Sequence, residues 1–349
     1  MFDDFPAQFA SNPALFPQIY DAEQDRILIS NISKAEFEAA SFLDQRIFTP
    51  QMQRFWVGWD QLAEYSGEIF ASPNKPDYIF HIGHVGSTLI SRLLGALPSV
   101  FALREPLLLR TLAETKFALT TPSPPWSQSQ YEQRLRQTIT WISRSFDPAE
   151  TPMIKATSSV SEIASDLIGH GRRSLFLCVK PERYLETILA GPASLNELDI
   201  VSAPRLARLN ARLGGTSWEL AHMNQATRIA MNWACEMAAL EEAAQKNDMD
   251  DIFWLDFDDF LASPKSSLSQ LAHFFGHEAP STMIEQITSG PMMNQYSKAP
   301  EYEYSTELRQ QLLAETRAAE KSNIATALAW LETAGQDHSL IAKSLARSA

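Results

Sequence analysis

Residues 78 to 97 constrain this chain more than any other stretch: Tyr-Ile-Phe-His-Ile, a Gly-His-Val-Gly turn, then Ser-Thr-Leu-Ile-Ser-Arg-Leu-Leu-Gly-Ala-Leu. Tyr78, Ile79, Phe80 and Ile82 make a short buried strand. Gly83 and Gly86 allow a tight turn, and Leu89, Ile90, Leu93, Leu94 and Leu97 recur at helical spacing. The spacing predicts a helix that begins near Ser87. Its free backbone N–H groups face the turn, and such a helix start favours an anion.

The content of the loop narrows the kind of anion. A triphosphatase loop reads G-x-x-x-x-G-K-[ST], with a Lys for the terminal phosphates and a hydroxyl for magnesium. Gly83-His84-Val85-Gly86-Ser87-Thr88 is shorter, has no Lys, and offers two adjacent hydroxyls instead. It resembles the 5′-phosphosulfate loop of sulfotransferases, strand, G-x-[RK]-[SC]-G-[ST]-T, helix. Gly83, Gly86, Ser87 and Thr88 fit that pattern, while His84 stands at the basic position and Val85 follows it.

Three further stretches follow in the order that the same resemblance implies. Leu103-Arg104-Glu105-Pro106 falls where tyrosylprotein and many bacterial sulfotransferases carry a Glu that deprotonates the acceptor hydroxyl. A carboxylate in reach of the attacking oxygen can take its proton as the new bond forms. Pro152-Met153-Ile154-Lys155 is a short strand ending in a Lys, at the end where open α/β sheets place ligands. In the resembled enzymes such a Lys supports the bridging oxygen of the scissile bond. Ser159 and Glu162 form an S-x-x-E pattern that predicts a capped helix running to about Gly169.

The third stretch runs from Ser174 to Leu189, a strand ending at Lys180 and a helix opened by Pro181. Sulfotransferases carry here an Arg-x-Pro turn and a Ser one helical turn later, which hold the 3′-phosphate. Thr187 matches that Ser, and Lys180 or Arg183 stands in for the Arg. Residues 252 to 265 resemble the late strand and D-[FL]-x-x-P segment of the same families. The expectation there is a buried strand, a solvated Asp258-Asp259 turn, and a helix capped by Ser263, started by Pro264 and ended by Gly276. Tyr296-Ser297-Lys298-Ala299-Pro300 is similar to a late basic loop that folds over the cofactor phosphates.

The resemblance covers roughly residues 76 to 300. It implies an α/β, three-layer P-loop-type fold with a central parallel β-sheet flanked by helices. Residues 1–75 are then an accessory segment packed on a main domain of residues 76–349. It also implies 3′-phosphoadenosine 5′-phosphosulfate as sulfuryl donor, with Gly83, His84, Val85, Gly86, Ser87, Thr88 and Leu89 around its 5′ end. Lys180 or Arg183 with Thr187 would take its 3′-phosphate, and Lys298 would lie in the late loop over the cofactor phosphates. Glu105, Lys155 and His84 are the implied catalytic residues, and the acceptor is a small molecule or peptide bearing a hydroxyl or amine.

Bulk properties limit the alternatives. At 349 residues, 45% hydrophobic and 20% charged, the chain has the means to bury a full core. A net charge of −13 argues against nucleic acid or an anionic membrane surface as partner. The two cysteines, Cys178 and Cys235, fall in core-like runs and imply no disulfide scaffold. The seven histidines show no H-x-x-x-H or H-E-x-x-H spacing, and no metal is expected. The acidic start Met-Phe-Asp-Asp-Phe-Pro lacks a signal peptide's pattern, and no run reaches membrane length, so the expectation is a soluble cytoplasmic protein.

The segment before the loop is rich in aromatics (Phe37, Phe42, Phe48, Phe55, Trp56, Trp59, Tyr65), suited to core packing, to covering a sheet edge or to one wall of an acceptor pocket. Thr120 to Ser129 reads as a rigid Pro-rich loop, with helices over about 130–145, 205–213 and 218–246. Ile229, Trp233, Met237 and Leu240 make a core stripe on the last. Two other classes stay open: a non-catalytic relative that binds the spent nucleotide, and a P-loop phosphotransferase or kinase.

Overall fold

The computed structural model describes residues 5–71, 73–214, 216–295 and 305–348; Lys298 and the rest of its loop lie outside the described residues. Near the amino terminus, alternating apolar residues build a small antiparallel sheet of β1 (Leu15–Asp21), β2 (Arg26–Asn31) and β3 (Arg54–Gly58), in that order. Most of the aromatic segment around it is core. Phe37, Phe42 and Trp59 are buried, Phe48, Phe55 and Tyr65 are half-buried, and Trp56 is exposed.

Two buried arginines fasten this segment to the rest of the chain. Arg144 donates to the carbonyls of Phe9, Asn12 and Leu15, and burial pulls its guanidinium down to about 9. Arg104 donates to the carbonyls of Phe37, Glu38 and Ala40, at 2.9, 2.7 and 2.7 Å. Those carbonyls close the Lys34–Ala39 helix, so Arg104 supplies donors that the helix end itself lacks.

Five further apolar runs form one parallel sheet: β4 (Asp77–His81), β5 (Val100–Arg104), β6 (Thr151–Lys155), β7 (Ser174–Cys178) and β8 (Ile252–Asp256). Their order is β5-β6-β4-β7-β8, and every residue of β4, β5 and β7 is buried. Strands covered on both faces read as continuous apolar runs, which is how β4, β6 and β7 were visible in the sequence, whereas β5 was not read as a strand. Helices flank the sheet, giving the three-layer α/β fold expected. The chain runs from β4 to one side through β5 and β6, then crosses to β7 and β8. The carboxyl end of β4 is therefore the switch point, where such sheets bind ligands.

The Gln225–Lys246 helix is buried on nearly every side, packed by the helices Pro181–Leu189, Pro192–Leu213, Lys321–Asp337 and Ser339–Arg347. Ile229, Trp233, Met237 and Leu240 are fully buried in it, as the stripe predicted. Both cysteines are buried and free, with burial pushing Cys178 up to about 12 and Cys235 up to about 11.

Two local expectations need correction. Ser159 and Glu162 form no capping box: Ser158–Ile163 is a 3-10 turn without a side-chain cap, followed by the short helix Ala164–Ile168. The Glu162 carboxylate is drawn away by Arg208 and Arg212, at 2.8 and 2.9 Å. The late strand stops at Asp256, whose side chain caps a helix over Phe257–Ala262. Asp258 is then no solvated turn residue but accepts from Arg183 and Arg309. The Pro264–Phe275 helix starts at Pro264 and ends at Gly276 as expected, though Ser263 makes no side-chain cap bond.

Replacing Arg104 tests the fastening. Arg104→Met leaves three carbonyl acceptors without a donor, and about 3 kcal/mol of stability is expected to go in urea unfolding. Arg104→Lys, with one ammonium for three acceptors, should lose about half as much. An unchanged midpoint in Arg104→Met would refute the role.

Candidate active site at the switch point

The loop leaves β4 through a left-handed backbone. Gly83, His84 and Gly86 have φ of +87°, +55° and +68°, and Gly86 precedes the Ser87–Leu94 helix with no side-chain cap. The first-turn N–H groups of that helix thus stay open. A side chain at position 86 would drive into the ring of Phe257, so only glycine fits there. Thr88 is buried, and its Oγ1 has no hydrogen-bond partner among the described residues. An uncapped helix start of this kind presents donors that can hold an anion.

Glu105 and Lys155 meet beside this loop. Lys155 ends β6, next to β4, and Glu105 directly follows β5, next to β6. The Glu105 N–H donates to the Lys155 carbonyl at 2.7 Å, which registers the two strand ends. Lys155 is 1% exposed, and its ammonium donates to Glu105 Oε1, while Thr157 Oγ1 donates to Oε2 at 3.3 Å. The Phe42 ring lies 5.3 Å from the ammonium. Glu105 itself has φ of +58°. A pair of opposite charge at this place can both hold a proton and present a positive group to an oxygen.

On the other side of β4, Lys180 begins the Pro181–Leu189 helix and is exposed, with no ion-pair partner among the described residues. Arg183 is committed elsewhere: its Nε donates to Asp258 at 2.5 Å and its guanidinium to Glu186 at 2.7 Å. Thr187 Oγ1 donates to the Arg183 carbonyl at 2.8 Å. Of the two cations left open by the sequence, Arg183 is paired and Lys180 makes no ion pair among the described residues.

His84 lies under the Pro192–Leu213 helix. Its Nε2 is 3.2 Å from the Glu197 carboxylate and its Nδ1 is 3.4 Å from Ser194 Oγ. A carboxylate within reach of the loop's basic position was not foreseen, and it comes from a helix whose start was read only from residue 205.

That helix also carries the cations that sequence reasoning missed. Arg205, Arg208 and Arg212 recur at helical spacing, a one-sided stripe that would have marked them. Arg205 donates to Glu236 at 2.7 Å, to Asn232 at 3.2 Å and to Ser158 Oγ at 2.9 Å. Arg208 donates to the same carboxylate at 3.0 Å, and Ser161 Oγ bonds to it as well. Burial pushes the Glu236 carboxyl up, the Arg208 and Arg205 guanidiniums pull it down, and the result lies below its ordinary 4.5.

Sulfotransferases are among the solved structures similar to this chain. The sulfotransferase domain from the Curacin biosynthetic pathway shares 16% identity at a TM-score of 0.41, covering 66% of this chain and 84% of that one. The sulfotransferase domain of the Synechococcus PCC 7002 olefin synthase shares 12% at 0.39, covering 70% and 88%. Sulfotransferase STF1 from Mycobacterium tuberculosis H37Rv shares 17% at 0.40, covering 74% and 80%. The likeness says nothing of reaction or substrate. No family model and no curated protein sequence matches the chain.

Two cavities, of about 300 and 250 Å³, lie away from the loop, one lined by Asn74, Thr140 and Arg144, the other by Lys116, Tyr131 and Asp166. Among the described residues no cluster of His, Cys, Asp or Glu is arranged to hold a metal, and no helix is long and apolar enough to cross a membrane.

The Glu236 network sets an acid limit on the fold. A carboxyl lowered by folding stabilises above its unfolded value, and that share is lost as pH falls through the folded value. Urea unfolding across pH should therefore weaken below about 4.5. Glu236→Gln should flatten that limb and lower stability at pH 7 by about 3–5 kcal/mol, because two buried guanidiniums lose their shared partner. An unaltered acid limb would remove Glu236 from this role.

Proposed function

We propose that this protein is a sulfotransferase that moves a sulfuryl group from 3′-phosphoadenosine 5′-phosphosulfate to a hydroxyl or amine of a small molecule or peptide. One observation carries the reading: an uncapped glycine loop with an unpaired buried hydroxyl stands at the switch point, and a buried Lys–Glu pair occupies the two neighbouring strand ends. The residues fit the donor. Open N–H groups with Ser87 and Thr88 suit its 5′ end, and the exposed Lys180 suits the 3′-phosphate as a point charge.

The donor arrives activated at its phosphosulfate bond, so the chain's task is positioning and charge stabilisation. The acceptor oxygen forms a bond to sulfur as the bond from sulfur to the bridging oxygen breaks. The electron pair of the broken bond stays on the departing phosphate. Glu105 takes the acceptor proton, and Lys155 turns its ammonium from that carboxylate to the bridging oxygen. The pair thus exchanges one opposite charge for another without either side chain leaving the site. Phe42, from the amino-terminal segment, walls this side of the site, which gives residues 1–75 a part in shaping the acceptor pocket.

Titration calorimetry with 3′-phosphoadenosine 5′-phosphate, against ATP with magnesium, tests the donor site. Micromolar binding of the former is expected, weakened about ten-fold by Lys180→Ala and unaltered by Arg183→Lys. No binding by the unsubstituted chain would overturn the reading. In a transfer assay over a panel of phenols, alcohols, amines and tyrosine peptides, Glu105→Gln and Lys155→Ala should each cut kcat by about a hundred-fold or more. Full turnover in both would remove these two residues from the mechanism.

A further inference from the structure

The loop lacks the permanent cation that its charge task calls for, because His84 stands there and is held by Glu197. A buried cation lies against the loop at Gly83. A side chain placed at Gly83 would meet Ser158 Oγ at 3.7 Å and the Arg205 guanidinium at 3.9 Å. Both residues are more than nine-tenths buried. Arg205 donates to Ser158 Oγ, so that oxygen is an acceptor in this bond and keeps its own proton to give. Among the described residues Ser158 Oγ gives no hydrogen bond of its own, so its proton is available to a group at the loop.

Arg205 is itself fixed on three sides, by Glu236, Asn232 and Ser158. Its fork geometry meets all three at once, which a Lys would not. The single Glu236 carboxylate is divided between Arg205 and Arg208, so neither guanidinium is fully neutralised by it.

We propose that Ser158, oriented by Arg205, is a further binding residue of the loop: its hydroxyl donates to the 5′-phosphosulfate, and the buried Arg205 guanidinium supplies the positive charge that His84 does not. Arg205 acts as a positioning residue, through Ser158 and through its field at Gly83. The inference rests on the sulfuryl-transfer reading and adds to it a second source of charge, on a helix far from the loop in sequence.

The test compares two ligands by titration calorimetry. 3′-Phosphoadenosine 5′-phosphate carries the 5′ group, and adenosine 3′-phosphate lacks it. Ser158→Ala should weaken the bisphosphate about ten-fold and leave the 3′-monophosphate within about two-fold. Arg205→Lys should show the same contrast, and Ser158→Ala remains informative if Arg205→Lys fails to fold. Ser158→Thr, which keeps the hydroxyl, should restore most of the difference. Equal weakening of both ligands would mark a structural role and overturn the proposal, as would no weakening of either. Absence of bisphosphate binding in the unsubstituted chain would instead overturn the sulfuryl-transfer reading, and this proposal with it.

Discussion

The structure depends on one ammonium that has no access to water. Lys155 is fully buried at the end of a central strand, and a buried charge costs several kcal/mol unless it is paired and hydrogen-bonded. Its partner, Glu105, must therefore stand at the end of the neighbouring strand, and it does so with a left-handed backbone and a main-chain bond to Lys155. The residue before it, Arg104, turns its guanidinium the other way, onto the carbonyls that close the Lys34–Ala39 helix. Phe42, just beyond that helix, returns to lie over the Lys155 ammonium. One buried charge thus ties together the sheet, the amino-terminal segment and the candidate chemistry.

The loop, four of the five strands and the positions of Glu105 and Lys155 were legible because each is a local pattern, while β5 was not read as a strand. A buried parallel strand is a continuous apolar run, and a glycine turn before an amphipathic helix is a contiguous signal. What escaped was set by partners distant in the chain. Glu162 has the spacing of a capping residue, yet Arg208 and Arg212 claim it from about fifty positions away, and a charge-assisted pair outweighs a cap bond. Arg183 looked as good a phosphate ligand as Lys180 until Asp258 and Glu186 closed on it. The amino-terminal sheet was read only as an aromatic segment for covering, core packing or a pocket wall, because the pairing of its strands with one another is visible only in three dimensions.

The acidity of the chain and the proposed anion site are compatible for a reason of scale. A net charge of −13 acts through solvent and is screened within about 8 Å at physiological salt. The loop is governed by what lies closer: open amides and the guanidinium of Arg205 under Gly83. The Glu197 carboxylate set against it is half exposed and reaches His84 from the covering helix. Its repulsion of an incoming anion is the weakest of these effects, because solvent screens it most.

Backbone strain points to the same place. Among the described residues three that are not glycine have positive φ: Asp25, in the β1–β2 turn, and His84 and Glu105. A turn accounts for the first, since Asp tolerates that conformation between paired strands. The other two have no such excuse, and each costs about 1–2 kcal/mol that a glycine would spare. Such positions persist only where the surroundings over-determine them. Glu105 is fixed by its N–H on Lys155 and its carboxylate on the ammonium, and His84 by Glu197 and Ser194. Relaxing either to glycine would remove the side chain that faces the loop, so the strain and the chemistry stand or fall together.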